Sequence, residues 1–166
     1  MSLWYRTKVI FVVSFVCILC DQLTKWWASH YLTLHKTDSY LNDMLRIVYS
    51  ENTGAFLGLG KNLPEQLRFF IFVAMVGIML LAMLVYMLKS QQQGPSSLVA
   101  LALIFSGGIS NFYDRAVNDG AVIDFLNVGI GSLRTGIFNV ADMAIMLGVL
   151  LVLFSGKSSS RAVRAQ

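Results

Sequence analysis

Phe-Phe-Ile-Phe-Val-Ala-Met-Val-Gly-Ile-Met-Leu-Leu-Ala-Met-Leu-Val-Tyr-Met-Leu, residues 69–88, is a run of 20 residues without a charge. As a helix rising about 1.5 Å per residue it is about 30 Å long, the thickness of a bilayer's hydrocarbon core. Three further stretches follow the same pattern less purely. Residues 9–27 are apolar up to Cys20 and then meet Asp21, Gln22 and Lys25. Residues 98–109 are apolar and run into Asn111, Asp114 and Arg115. Residues 137–154 carry a single acid, Asp142. The composition agrees: the 166 residues are 56% hydrophobic and only 13% charged, where a soluble domain is about a quarter charged. A disordered chain, a collagen-like fibre and an ordinary soluble enzyme are excluded. The expected fold is an all-α membrane protein of four transmembrane helices, with residues 1–155 forming one domain.

Four spans put both termini on one side. Segments 1–8, 89–97 and 155–166 hold Arg6, Lys8, Lys89, Lys157, Arg161 and Arg164 and no acid. Segments 28–68 and 113–136 hold as many cations in twice the length, together with seven of the nine acids. Cytoplasmic flanks collect Lys and Arg, so both termini are expected in the cytoplasm. The net charge of +4 therefore reads as orientation, and no nucleic-acid partner is expected. Trp4, Tyr5, Trp26, Trp27, Tyr86 and Tyr113 fall where interfacial aromatic belts sit. The first span is read as retained: Leu19, before Cys20, is not small and no Ala-x-Ala follows soon after the span. Residues 156–166 read as a disordered tail, too polar to bury.

Outside the spans, residues 45–50 and 123–128 have the β-branched and aromatic content of strands, and a small extracytoplasmic β-sheet is expected. Glu51-Asn52-Thr53-Gly54 reads as a turn, and Pro64-Glu65 as the start of a short outer helix. Cys17 and Cys20 read as small buried hydrophobes, since a metal or redox site there lacks further ligands. His30 and His35 have no partner that would make them metal ligands, and Ser106 and Ser110 have no base to activate them.

The two acids inside apolar runs, Asp21 and Asp142, are the residues that call for a function. On insertion scales each costs about 2.5–3.5 kcal/mol at a helix centre. Asp142 near the start of its span, Asn111, Asp114 and Arg115 at the end of theirs, and Asp21 and Lys25 converge at one level of the outer leaflet. Several have plain structural readings. Asp21 and Lys25 at i, i+4 can neutralise each other. Asn139 can be a helix cap, and Gly107-Gly108 a close helix contact. Asp124, in the apolar sextet Ala-Val-Ile-Asp-Phe-Leu, is the notable acid of the loops. If it folds back onto Asp142, the two carboxyls share a proton and supply a base and an acid together. A proton-coupled transporter and a non-catalytic scaffold are the alternatives. The first predicts polar residues continuing into the cytoplasmic half, where the spans are bare.

Five segments carry a resemblance. They are Asp21-Gln22-Leu23-Thr24-Lys25, Glu51-Asn52-Thr53-Gly54-Ala55-Phe56, Ser106-Gly107-Gly108-Ile109-Ser110-Asn111-Phe112-Tyr113-Asp114-Arg115, Val122-Ile123-Asp124-Phe125, and Phe138-Asn139-Val140-Ala141-Asp142. In this order, over residues 8–155, the chain resembles the lipoprotein signal peptidases (signal peptidase II), membrane aspartic proteases of the bacterial inner membrane. The resemblance departs at Ser110, where the family usually has Gly. It implies Asp124 and Asp142 as the catalytic pair. Asn52, Asn111, Arg115 and Asn139 would bind substrate, and Asp21, Lys25, Gly54, Gly107, Gly108, Asp114 and Ala141 would support the site. It also implies cleavage of diacylglyceryl-modified prolipoproteins on the amino side of the lipidated cysteine, near the periplasmic face. No metal or organic cofactor is implied. The partners implied are the prolipoprotein, membrane lipid and globomycin-type peptide inhibitors, with the enzyme a monomer. Apart from the resemblance, the glycine-rich stretch of the loop 28–68 suggests that this loop covers the substrate as a lid.

Overall fold

The computed structural model describes residues 1–34, 36–54, 60, 62–90 and 93–163, with side chains described as far as Phe154. His35, the stretch 55–59 that completes the second family segment and the glycine-rich part of the lid, and residues 164–166 lie outside the described residues. The elements are helix α1 (Leu3–Tyr31), strands β1 (Thr37–Tyr40) and β2 (Leu45–Asn52), helix α2 (Glu65–Phe69), a π-helical turn (Phe70–Met75), helices α3 (Val76–Lys89) and α4 (Pro95–Val117), strands β3 (Val122–Ile130) and β4 (Leu133–Arg134), and helix α5 (Val140–Val163). The molecule is mostly helical with a small antiparallel sheet.

Among the described residues, three helical stretches are long and apolar enough to cross a membrane: Leu3–Tyr31, Glu65–Lys89 and Pro95–Val117. The fourth apolar stretch, Val140–Phe154, is shorter. Pro64 precedes α2 as the sequence suggests, but α2 runs on through the π-turn into α3, so the expected short outer helix is continuous with the apolar helix that follows it. Along α1, Phe11, Phe15, Val16 and Leu23 are exposed, as are Ile78 and Met79 on α3, a distribution that suits lipid. Trp4 and Trp27 mark the ends of α1, about 34 Å apart along a helix, close to the spacing of two interfaces. Cys20 also lies on this exposed face and Cys17 is half-buried, which corrects the expectation that both are buried.

Helix α4 is the centre of the bundle, and its small residues set the packing. A Cβ on Gly107 would collide with the Ala141 carbonyl of α5. One on Gly148 would come within 2.6 Å of the Ala100 carbonyl of α4. Glycine at both places lets the two backbones approach. On the other side Ile10, Leu80, Met87, Leu98, Ala102 and Phe105 form an apolar core between α1, α3 and α4. Arg6 is buried at the far end of the bundle, where its guanidinium donates to the carbonyls of Met87 and Ser90 and closes the C-terminus of α3.

The sheet has the order β1-β2-β3-β4. The strands read at 45–50 and 123–128 are present and longer, and Asn52 is the last residue of β2, with its Oδ1 accepting from the Gly54 amide at 3.0 Å. In the β1–β2 turn Leu41, Asn42 and Asp43 all adopt positive φ. Arg46 holds the Asp43 carboxyl at 2.6 Å and keeps it well below the usual carboxylate range. After β4 the chain folds back on β3: the Phe138 carbonyl accepts from the amides of Phe125 and Leu126, and the Phe138 amide donates to Leu126. The Asn127 side chain donates to the Thr135 carbonyl at 2.6 Å and receives Arg134 Nε at 2.6 Å. This return fixes where α5 begins.

One ionic cluster ties the helices beneath the sheet. Lys25 Nζ of α1 lies 2.6 Å from Asp21 and 2.7 Å from Asp114 of α4, all three almost wholly buried. Asp21 Oδ1 in turn accepts from the Ala141 amide in the first turn of α5 at 2.7 Å. Removing one member of a buried pair leaves the others uncompensated and costs about 3–5 kcal/mol, while an exposed pair is worth at most about 1 kcal/mol. Lys25→Met should therefore lower the thermal unfolding midpoint of the purified protein by at least about 6 °C. Lys36→Met, which breaks only the exposed contact to Asp38, should leave the midpoint almost unchanged. Differential scanning fluorimetry in one detergent checks both.

Candidate functional site

The site is built where β3, the end of α4 and the start of α5 meet. Asp124 is near the start of β3 and 2% exposed. Its register partner on β2 is Ser50, and Asn52, two residues along on the same face, donates from Nδ2 to Asp124 Oδ2 at 3.0 Å. Asn139 Nδ2 donates to Asp124 Oδ1 at 2.7 Å. Burial and the neighbouring Asp142 carboxyl both disfavour charge on Asp124, the first more than the second, and push its pKa up to about 7 against the pull of Asn52, Asn139 and Lys25.

Asp142 sits in the first turn of α5, which begins at Val140 and not at 137, so the acid is nearer the helix end than the sequence suggested. Asn139 immediately precedes the helix and caps it. Its Oδ1 accepts from the Asp142 amide at 2.9 Å, and the Asp142 carboxyl accepts from the Asn139 amide at 3.2 Å. This is the reciprocal arrangement of a capping box, with Asp in place of Glu. The cap reading of Asn139 is thus correct and incomplete, because the same side chain also binds Asp124. One residue connects the two acids.

Asn111 of α4 completes the frame. Its Nδ2 donates to Asp142 Oδ1 at 3.0 Å, and its Oδ1 receives Lys25 Nζ at 2.8 Å and Asn139 Nδ2 at 3.2 Å. The Asp21–Lys25 pair forms as the i, i+4 spacing suggested, and it also supports Asn111 from behind. Arg115 donates to the Gly54 carbonyl at 2.6 Å and to the Asn111 carbonyl at 3.2 Å, with its guanidinium over the Phe72 ring. Asn52, Asn111, Arg115, Asp124 and Asp142 line one cleft of about 320 Å³, whose remaining wall includes Phe72, Val76, Gly108 and Ile145. Gly108 leaves room for Leu80 of α3, which a Cβ would meet at 2.7 Å. Gly107 and Ala141 lie in the α4–α5 seam behind the cleft.

Three polar residues were not singled out as part of the site. Gln22 Nε2 donates to Ser110 Oγ at 2.9 Å and to Asp114 at 2.8 Å, and Ser110 Oγ donates to Asp21 at 2.7 Å. Ser110, read as a departure from the family's glycine, adds a hydroxyl to the cluster. Asn127 positions the chain that enters α5. Gln22 stands inside a matching segment, which was the available signal; Asn127 had none.

Residues 13–156 match the family described as signal peptidase (SPase) II. The chain is 37% identical over 153 residues to a lipoprotein signal peptidase of Sphingopyxis alaskensis, covering 91% of this chain and 85% of that protein. It is 34% identical to one of Borreliella burgdorferi, covering 90% of this chain and 88% of that protein. Two solved bacterial membrane enzymes share the fold. One has a TM-score of 0.79 at 26% identity, covering 91% of this chain and 88% of the other. The second has 0.72 at 27%, covering 88% and 90%. With a matching sequence over most of its length and the same fold, this chain belongs to the signal peptidase II family, a family of bacterial membrane peptidases.

Proposed function

We propose that the protein is an aspartic endopeptidase of the bacterial inner membrane. It removes the signal peptide from diacylglyceryl-modified prolipoproteins, cutting on the amino side of the lipidated cysteine. The observation that carries this reading is the pair Asp124 and Asp142, lining one cleft and joined through Asn139, with one carboxyl pushed up to about 7. Two carboxyls in this state hold one proton between them near neutral pH.

The ionised member takes a proton from water as the water oxygen attacks the scissile carbonyl carbon. The protonated member gives its proton to the carbonyl oxygen as that oxygen gains charge. The acid that took the proton from water then gives it to the nitrogen of the cysteine residue, the other acid takes back the proton of one hydroxyl of the tetrahedral intermediate as its C=O re-forms, and the C–N bond breaks, so the pair ends with its single proton. Arg115, Asn52 and Asn111 have donors at the cleft wall and would orient the peptide backbone. Confinement to the membrane orients the substrate before chemistry and lowers the entropic barrier. The low polarity of the wall, with Phe72, Val76 and Ile145, strengthens each polar contact inside.

The proposed topology has α5 as the fourth crossing, both termini in the cytoplasm and the sheet outside. The cation distribution and the aromatic ends of α1 support it. The apolar core of Leu80, Met87, Leu98 and Phe105 lies between the cluster and the far end of the bundle, which favours a surface-accessible site over a proton path.

Asp124→Asn and Asp142→Asn should each reduce cleavage of a lipidated prolipoprotein by at least about 10²–10⁴-fold, the range of general acid–base contributions. Both should keep the unfolding profile of a folded protein. Cleavage at the wild-type rate by either variant would eliminate the pair as the catalyst. For orientation, a cysteine placed at Asp38 should label only from outside the cell, and one at Ser159 only from the cytoplasm. The opposite pattern would reverse the assignment of sides.

A further inference from the structure

The aspartate cleft is not the only cavity that Asp142 borders. A second one, of about 450 Å³, is lined by Arg134, Thr135, Phe138, Asp142, Met143 and Met146. Asp142 and Met146, one helical turn apart on α5, line both cavities, so the two meet around the first turns of that helix. Their chemistry differs. The first presents amide and guanidinium donors; the second is apolar except at its rim. Met143 and Met146 are half exposed on an apolar helix, so this cavity opens toward the surroundings of the bundle.

We propose that this second cavity is the subsite for the acyl chains of the substrate's diacylglyceryl group, with Arg134 at its rim facing the glyceryl esters. The inference rests on the reading of the protein as a lipoprotein signal peptidase and adds to it the path taken by the lipid. The lipid is attached to the side chain of the residue that follows the scissile bond, so it must leave the reaction centre within a few bonds of the attacked carbonyl. A cavity that shares one of the two acids with the cleft provides that exit, and the volume is within the usual range for a ligand site. Methionine suits chains of variable shape, since its side chain is flexible and polarisable.

Arg134 has donor capacity left for an ester carbonyl. Its Nε is held by Asn127 Oδ1 at 2.6 Å, and its Nη1 by the Asp43 carbonyl at 2.7 Å. Among the described residues its Nη2 has only a contact of 3.5 Å to the Asn127 carbonyl, longer than an ordinary hydrogen bond. The same bonds hold the guanidinium in place, so it meets the lipid as a fixed group. The peptide part of the substrate is left the cleft beside Asn52, Asn111 and Arg115, where backbone groups find partners.

Two lipopeptides of identical peptide sequence test this. In one, the glyceryl group on the cysteine carries two hexadecanoyl chains; in the other, two acetyl groups. Met143→Trp fills the cavity from a half-exposed position, and Met143→Leu preserves its volume. Met143→Trp should raise KM for the long-chain substrate about 10-fold, with kcat and the diacetyl substrate changed less than about 2-fold. Met143→Leu should follow the wild type on both. An equal loss on the two substrates, or no loss on either, with the wild type cleaving both, overturns the acyl assignment alone. A wild type that cleaves neither lipopeptide overturns the proposed function and this subsite with it.

Discussion

A single ammonium group, Lys25 Nζ, orients the candidate site. It can only donate, and it has been buried among Asp21, Asp114 and the oxygen of Asn111. Because Asn111 must present its oxygen to Lys25, its nitrogen is turned toward Asp142. The same logic applies to Asn139. Its oxygen is committed to the Asp142 amide at the start of α5, which turns its nitrogen to Asp124. Amide orientation is ordinarily a matter of network inference. Here a cation and a helix N-terminus dictate it. The two acids thus receive fixed donors from amides that have no freedom to rotate.

This arrangement explains why so many polar groups are placed in an otherwise apolar bundle. Each buried charge is costly unless paired and hydrogen-bonded. Asp21 satisfies the requirement through Lys25, Ser110 and the Ala141 amide, and Asp114 through Lys25 and Gln22. Asp124 and Asp142 are treated differently. They have amide donors but, among the described residues, no cation of their own in hydrogen-bond contact, and Asp124 responds with a raised pKa. On the proposed reading, the carboxyls neutralised by a cation serve structure and the two without one share a proton and serve chemistry. Helix packing enforces the separation, since Gly107 brings α4 and α5 close enough for the amides of one to reach the acid of the other.

Much of this could be read from the chain. The long apolar runs gave the helices, and the strands at 45–50 and 123–128 were visible because β-branched residues are concentrated there. β1 and β4 were not read. Thr37–Tyr40 and Leu133–Arg134 are short and polar in part, and they are strands only because β2 and β3 offer edges to pair with. The acids stood out by their apolar flanks. The second role of Asn139 did not, since a cap and a carboxylate ligand have the same local sequence. Asn127 was invisible for a different reason: its partners are backbone carbonyls brought near by the return of the chain after β4. Ser110 stood only as a departure from the family's glycine, and the position of Asp21 across the helix interface shows what its hydroxyl bonds.

The state of the acid pair is open to direct observation by NMR of ¹³C-carboxyl-labelled aspartate in the protein reconstituted in lipid, recorded as a function of pH. One carboxyl should remain protonated well above the ordinary aspartate range and lose its proton at about pH 7, in keeping with Asp124. Asp142→Asn removes the neighbouring negative charge, so that titration should move to lower pH while burial keeps it above 3.8. Both carboxyls ionising below about pH 5 in the wild type, as exposed aspartates do, would contradict the shared proton and the mechanism built on it.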